Sequence, residues 1–218
     1  MCIIQLMWRK RHTWPEFEPE EIRKRARILV IDDEDFYYLQ LFERDGYTIE
    51  KWDDVEDLSR LETGYYDVLL LDIQGVGRSL SGEEGLGVLR HIRKTAPAQI
   101  VIAYSNANFS LKYQDFWQLA DRTLAKTADY MDFKRTVDEL LRERFSLEFY
   151  VNRIQEVAGA YMLDSARLKQ LSQRAILTGN PSKLRQHLET RVDSGQVVNM
   201  VLQIAQVAIA IASLASYA

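Results

Sequence analysis

The sequence is poor in cysteine, with only Cys2 among its 218 residues. A single thiol excludes an internal disulfide framework and is typical of a protein from a reducing compartment. The chain also lacks the Cys/His spacing of a zinc site, a repeat and a low-complexity tract, which excludes zinc modules and repeat architectures. The opening run MCIIQLM is too short for a secretory signal and has no cleavage pattern. We therefore expect a cytoplasmic protein.

The chain has no strong excess of either charge. Its formal net charge is -4, which gives no general reason to expect nucleic acid as a partner, although the charge is unevenly spread. Hydrophobic residues make up 47% and charged residues 28% of the chain, a balance typical of globular rather than disordered proteins. The length of 218 residues is sufficient for one full domain and an appendage.

Residue periodicity divides the chain into four segments. Residues 1–26 form an N-terminal extension with little regular pattern, whereas residues 27–142 alternate short apolar runs with helical spacing. This strand–helix alternation predicts an α/β fold with a doubly wound, five-stranded parallel sheet of the flavodoxin-like kind. Residues 143–191 predict an all-α extension, and residues 192–218 predict an apolar C-terminal helix. Ligands of such a sheet bind beyond the carboxyl ends of its strands, so chemistry is expected there.

Glycine and proline positions limit the predicted helices. Helical spacing covers Glu34–Arg44, Val55–Leu61 and Leu111–Leu119. The most apolar run, YDVLLLD, predicts a strand that is buried on both faces.

Polar side chains stand at four of the predicted strand ends. The first strand ends in Asp32 and Asp33, the third in Asp72 and the fourth in Ser105, and Lys126 follows the fifth. Because parallel strands end at one edge of a sheet, we expect these side chains to converge. Three carboxylates so close cannot all stay ionised without a cation, and Mg²⁺ is the usual one where phosphate is handled. With a lysine and a hydroxyl to bind phosphoryl oxygens, the set predicts phosphoryl transfer to an aspartate.

The motifs that carry these residues resemble the receiver domains of response regulators in two-component signalling, over roughly residues 27–142. ILVIDDE resembles the family's first strand with its acidic pair, and LLLDIQG resembles the phosphoacceptor strand, which makes Asp72 the implied acceptor. VIAYS and TLAKTAD place Ser105 and Lys126 at the family's hydroxyl and lysine positions. The metal ligands that the resemblance implies are Asp32, Asp33, Asp72 and, through its backbone carbonyl, Gln74.

Departures from the family pattern concern the output rather than the chemistry. Gly75-Val76 replaces the usual Met-Pro, and the longer loop GVGRSLSGEEG favours a mobile active-site loop. Thr127 stands where a proline commonly follows the lysine, and Thr123 stands where an aromatic switch residue is usual. Tyr104 is a nearby aromatic residue but does not occupy that position. We therefore expect intact phosphoacceptor chemistry with a divergent output.

The segment beyond Arg142 has helical patterns only. Apolar residues with 3-4 spacing predict a long helix that pairs within the chain or between subunits: Leu147, Tyr150, Ile154, Val157 and Tyr161. Residues 165–191 are basic, and Gly179-Asn180-Pro181 breaks them into two helices. This hairpin has two interpretations, a solvated pair of helices, which we favour, and a DNA-binding helix-turn-helix.

The last stretch, 196–218, has no charged residue and is long enough to span a hydrocarbon core. The basic residues before it are consistent with a cytoplasmic N-terminal side and attachment to the inner membrane. A polar and small stripe runs along it at 4-3 spacing: Asn199, Gln203, Gln206, Ala210, Ser213 and Tyr217. A second stripe is apolar: Val197, Met200, Ile204, Val207, Ile211 and Leu214. The pattern fits helix association in a membrane and equally a soluble helix packed on the hairpin or in an oligomer.

The sequence thus predicts a signalling protein rather than an enzyme, with slow self-dephosphorylation at most. A histidine kinase would transfer a phosphoryl group to Asp72 in an Mg²⁺-dependent reaction. The output would pass through the C-terminal helices, by homo-oligomerisation or membrane association, and nucleic acid is not expected as a partner. Two alternatives stay open, a DNA-binding transcriptional regulator that uses the 165–191 hairpin and a degenerate receiver that acts as a protein-interaction module.

Overall fold

The computed structural model describes residues 13–106, 114–161 and 163–214. The chain forms two compact units, which divide between Phe17 and Glu18 and again between Arg144 and Phe145. We name residues 18–144 the sheet unit and the residues before and after it the helical unit. Residues 1–12 of the predicted N-terminal extension and residues 215–218 of the predicted C-terminal helix lie outside the described residues. The four-segment organisation stays a prediction.

The sheet unit contains five parallel strands in the order β2-β1-β3-β4-β5. Their bounds are β1 Arg27–Ile31, β2 Thr48–Trp52, β3 Val68–Asp72, β4 Ile100–Ser105 and β5 Arg122–Ala125. This is the strand order of flavodoxin-like doubly wound folds, so the predicted fold class is confirmed. β3 and β4 are buried along their whole length, as expected for inner strands that are covered on both faces.

Helices flank this sheet on both faces. Their bounds are α1 Pro19–Arg25, α2 Leu39–Arg44, α3 Leu58–Glu62, α4 Gly85–Thr95, α5 Gln114–Leu119 and α6 Tyr130–Arg144. Residues 111–113, which open the predicted helix Leu111–Leu119, lie outside the described residues. A continuous apolar core joins the sheet to α4 and includes Leu29, Leu69, Val101, Leu89 and Ile92. Burial of each such side chain contributes about 1.5–3 kcal/mol and fixes the strand ends that form the site.

Two helices are shorter than their sequence patterns predict. α2 omits the first part of the predicted Glu34–Arg44, because Asp32 accepts a hydrogen bond of 2.9 Å from the backbone amide two residues further on. This bond holds the chain in a turn that competes with the helix. α3 omits the first turn of the predicted Val55–Leu61, because Asp57 caps it by accepting a bond of 3.2 Å from the Arg60 amide.

The helical unit consists of four α-helices with one short 3₁₀ turn among its described residues. Their bounds are α7 Leu147–Ala158, the 3₁₀ turn Gly159–Tyr161, α8 Ser165–Thr178, α9 Ser182–Glu189 and α10 Gly195–Leu214. The predicted long helix is therefore a 12-residue helix, and the Ser146 side chain caps it by accepting from the Phe149 amide. Gly179, at φ 67°, closes α8 in the left-handed conformation, so the predicted helical hairpin is confirmed. Trp14 Nε1 donates to the Phe145 carbonyl at 2.7 Å within this unit.

α10 is amphipathic within the helical unit, where it packs on α7, α8 and α9. Its buried residues include Val198, Val201, Ala205 and Ala208. The described members of the predicted polar stripe are all exposed: Asn199, Gln203, Gln206, Ala210 and Ser213. The predicted apolar stripe is buried only in part, at Ile204 and Ile211, because a helix with three neighbours buries an arc wider than one stripe.

α10 is also the one helix, among the described residues, that is long and apolar enough to cross a membrane by length and composition. The core helix of a soluble protein meets the same criterion, so this property alone is weak support for a membrane span.

Candidate functional site

The strand register places the predicted polar residues at one edge of the sheet. Ile31 pairs with both Trp52 and Leu71, so Asp32 and Asp72 follow at the same level of neighbouring strands. Asp72 pairs with Tyr104, which pairs with Leu124, so Ser105 and Lys126 lie one and two residues further on towards the same carboxyl edge. The convergence that the strand ends predicted therefore follows directly from the parallel register.

Lys126 is the centre of the contacts at this edge. Its Nζ lies 2.8 Å from Asp72 Oδ2, 2.9 Å from Asp32 Oδ1 and 3.1 Å from Glu34 Oε2. Burial alone would lower the pKa of Lys126, but its hydrogen bonds to Asp72 and Asp32 outweigh burial and raise that pKa. The ammonium group is therefore charged at physiological pH and joins two buried carboxylates.

Asp72, the candidate nucleophile of the edge, is buried, with a relative exposure of 3%. Burial raises the pKa of Asp72, and the hydrogen bond and charge of Lys126 act in the opposite direction. Its Oδ1 accepts a bond of 2.7 Å from the Ile73 amide, while Oδ2 contacts Lys126. Each oxygen thus has a fixed donor, and the carboxylate is held in one orientation.

The carboxylates fit a hard divalent cation. Asp32, Asp33 and Asp72 each offer one oxygen, and these oxygens lie within 4.8 Å of one another. Asp33 is exposed and its carboxylate lies over Gly75, where an added Cβ would be 2.1 Å from Oδ2. The carboxylates of Asp32, Glu34 and Asp72 contact the Lys126 ammonium, and Asp33 adds a fourth carboxylate to the cluster. An excess of negative charge of this kind favours a cation such as Mg²⁺.

Ser105 and Gln74 are the less defined members of the predicted set. Ser105 is buried, and its carbonyl accepts a bond of 3.3 Å from the Lys126 amide, which ties the end of β4 to the residue after β5. Gln74 is exposed, and a hydrogen bond from its backbone to Asp72 partly offsets the rise that burial causes in the pKa of that carboxyl. The phosphoryl-binding role of Ser105 and the metal-binding role of the Gln74 carbonyl stay predictions.

The glycine-rich loop after β3 is held by carboxylates from two directions. Gly75 N donates to Glu84 Oε2 at 3.1 Å, and Gly77 N donates to Asp54 Oδ1. Glu84 has φ 54°, which is uncommon for a residue with a side chain and marks local strain. Gly85 is required by close approach, because a Cβ there would lie 2.1 Å from the Asp72 carbonyl oxygen. The loop that its glycine content predicts to be mobile is thus bonded at several points.

The sequence did not predict four of the side chains that shape this edge: Glu34, Asp54, Glu84 and Tyr104. The Tyr104 hydroxyl donates to Asp32 Oδ2 at 2.6 Å, although 72 residues separate the two in the chain. Burial, and then the charge of Asp32, raises the pKa of Tyr104, so its hydroxyl stays a donor. Only the place of Tyr104, one residue before Ser105 at a strand end, could have indicated its role.

Comparison with known proteins gives structural matches alone, since no protein-family model and no curated protein matches the chain. A CheY-like response regulator receiver domain protein from Methanospirillum hungatei is 25% identical, with TM-score 0.46, over 55% of this chain and 95% of that chain. The response regulator TrrA from Thermotoga maritima, solved in complex with Mg²⁺-BeF, is 28% identical, with TM-score 0.43, over 53% of this chain and 98% of that chain. A two-component response regulator from Clostridium difficile is 20% identical, with TM-score 0.45, over 54% of this chain and 97% of that chain.

These matches are to response-regulator receiver domains, the family that the sequence motifs resemble. The likeness is one of fold and covers a little over half of this chain. The strand order of the sheet unit, read from its own hydrogen-bonded register, is the flavodoxin-like order.

Proposed function

We propose that the chain is a response regulator that accepts a phosphoryl group on Asp72. The observation that carries the proposal is the contact of Lys126 Nζ with Asp72 Oδ2 at 2.8 Å, inside a cluster of three mutually close carboxylates. An aspartate nucleophile needs mainly positioning and charge neutralisation to attack phosphorus. The Ile73 amide supplies the positioning and Lys126 supplies the charge.

The proposed reaction moves a phosphoryl group from a histidine of a kinase to Asp72. One carboxylate oxygen forms a bond to phosphorus while the bond from phosphorus to the histidine nitrogen breaks, and that nitrogen keeps the electron pair and takes a proton from solvent. Mg²⁺, held by Asp32, Asp33, Asp72 and the Gln74 carbonyl, would supply charge neutralisation for the phosphoryl oxygens. Burial raises the pKa of Asp72, and the hydrogen bond and charge of Lys126 oppose that rise. Ser105 is the hydroxyl that would bind a phosphoryl oxygen.

A phosphate-affinity gel with a small-molecule phosphodonor, such as phosphoramidate, tests the acceptor. We expect one shifted band that needs Mg²⁺, disappears with EDTA and is absent in Asp72→Asn. Asp35→Asn is the matched control, since Asp35 is an exposed aspartate close in sequence to the acidic pair. Absence of a shift, or a shift that survives Asp72→Asn, refutes the acceptor. If calorimetry detects no Mg²⁺ binding that requires Asp32 and Asp33, the alternative of a degenerate receiver is favoured.

We propose that the helical unit, through which the output would pass, is a soluble bundle rather than a membrane anchor. The exposure of the polar stripe of α10 and the burial of Val198, Val201 and Ala205 support this, since a lipid-facing helix would present the opposite pattern. We expect Gln206→Glu to remain in the soluble fraction after lysis without detergent, and Ala205→Asp to lose helix content by circular dichroism. If both the wild type and Gln206→Glu enter the soluble fraction only when detergent is added, the proposal of a soluble helical unit is refuted.

A further inference from the structure

Tyr104 is a buried phenol at the edge that bears the phosphoacceptor. It lies in β4 directly opposite Asp72 in the parallel register, and its relative exposure is 2%. Its hydroxyl donates to Asp32 Oδ2 at 2.6 Å, the short distance typical of a hydrogen bond from a hydroxyl to a carboxylate. The Lys126 ammonium lies 5.6 Å from the centre of its ring.

Asp32 has hydrogen-bond donors at both of its oxygens. Oδ1 accepts from Lys126 Nζ at 2.9 Å and from the Glu34 amide at 2.9 Å, whereas Oδ2 accepts from Tyr104. A planar carboxylate bonded at both oxygens cannot rotate without loss of at least one of these bonds. The Tyr104 hydroxyl therefore fixes the side of Asp32 that faces away from Lys126.

The ring that carries this hydroxyl is itself fixed by packing. Tyr104 makes edge-to-face contacts with Phe36 and Phe133, at 6.1 Å and 6.0 Å between ring centroids. Phe36 and Phe133 also contact each other at 5.6 Å. Aromatic pairs with this geometry contribute beyond their buried area. The hydroxyl therefore projects from a rigid support that includes α6.

We propose that Tyr104 is a positioning residue of the cation site: its hydroxyl orients Asp32, which in turn holds Lys126 against Asp72. The proposal rests on the proposed function, because it assumes that the carboxylates bind Mg²⁺. Groups that orient metal ligands from outside the coordination sphere typically change metal affinity by about 10–100-fold when they are removed. Sequence motifs do not assign such a role to this position.

Tyr104→Phe is the direct test, because it keeps the ring and its packing and removes only the hydroxyl. We expect its dissociation constant for Mg²⁺, measured by calorimetry without a phosphodonor, to rise about tenfold. The matched control is Tyr47→Phe, which removes a hydroxyl that also bonds a carboxylate at 2.6 Å, on Asp138 away from the cluster. The control should bind Mg²⁺ as the wild type does.

A change of less than twofold for Tyr104→Phe overturns the proposal, as does an equal loss in Tyr47→Phe. If the wild type itself binds no Mg²⁺, the proposed function fails instead, and the two failures are distinct.

A measurement on the wild type covers the case in which Tyr104→Phe does not fold. With carbon-13 at the tyrosine Cζ atoms, assigned through bonds, added Mg²⁺ should shift the Tyr104 signal and leave that of Tyr47 in place. If the Tyr104 signal does not shift when the protein is saturated with Mg²⁺, the proposal is also overturned.

Discussion

Gly75→Ala separates the stability of the loop after β3 from its role at the cation site. Gly75 has φ 83°, and an added Cβ would lie 2.1 Å from Asp33 Oδ2. The left-handed backbone costs an alanine about 1–2 kcal/mol relative to glycine. Because Asp33 is exposed, its carboxylate can turn away at little further cost. We therefore expect the free energy of unfolding to fall by about 1–2 kcal/mol and Mg²⁺ affinity to fall about tenfold or more, since a ligand has moved.

Gly46→Ala is the matched control for this substitution. Gly46 has φ 89°, and an added Cβ there would meet nothing within 4 Å. It should therefore lose a similar stability, by urea denaturation followed with circular dichroism, and keep the Mg²⁺ affinity of the wild type by calorimetry. If Gly75→Ala binds Mg²⁺ as tightly as Gly46→Ala does, Asp33 is not a ligand. If Gly75→Ala alone loses more than about 3 kcal/mol, the Asp33 carboxylate cannot move aside as we infer.

Three further predictions concern the buried charges of the sheet unit. The raised pKa of Asp72 means that folding favours its protonated form, so without metal Asp72→Asn should be more stable than the wild type at pH 7. That difference in urea midpoint should shrink as the pH falls through the raised folded-state pKa of Asp72 towards the ordinary value of 3.8, and a constant difference would contradict it. Lys126→Met removes the ammonium from two buried carboxylates and should cost about 3–5 kcal/mol at neutral pH, with part restored by Asp72→Asn in the same chain. Asp67→Ala takes a carboxylate from Arg144, which is 2% exposed, and should cost about 3 kcal/mol. Glu143→Ala, at an exposed ion pair with Arg122, should cost under about 1 kcal/mol. Equal losses of stability in Asp67→Ala and Glu143→Ala would refute the distinction between the buried and the exposed ion pair.

The sheet and its acidic edge could be predicted because both follow from short-range patterns. The inner strands are continuous apolar runs, and each ends in a polar residue whose level the parallel register then fixes. Once the strands are known to be parallel and their order is known, Asp32, Asp72 and Lys126 must all lie at the carboxyl edge of the sheet. Strand ends therefore carried the prediction, and they did so without knowledge of any side-chain contact.

Contacts between distant parts of the chain could not be predicted in this way. Tyr104 meets Asp32 across 72 residues, and Asp54 meets the Gly77 amide across 23 residues. In neither pair does the local sequence spacing distinguish the contacting residues from ordinary solvated or core residues. The short α2 has the same origin, since helical spacing from Glu34 onward does not show that Asp32 bonds the backbone two residues later.

The two acidic residues of the pair differ in what their substitution can reveal. Asp32 is bonded to Lys126, to the Glu34 amide and to Tyr104, so its loss would release a lysine and a phenol together with any cation. Asp33 is exposed and lies over Gly75, so its loss would affect the cation alone. A fall in Mg²⁺ affinity in Asp33→Asn therefore reports coordination, whereas the same fall in Asp32→Asn also reports disorder around Asp72. If Tyr104 acts as we propose, the losses of Mg²⁺ affinity in Asp32→Asn and Tyr104→Phe should be non-additive in the double variant, because both substitutions remove the same support from Lys126.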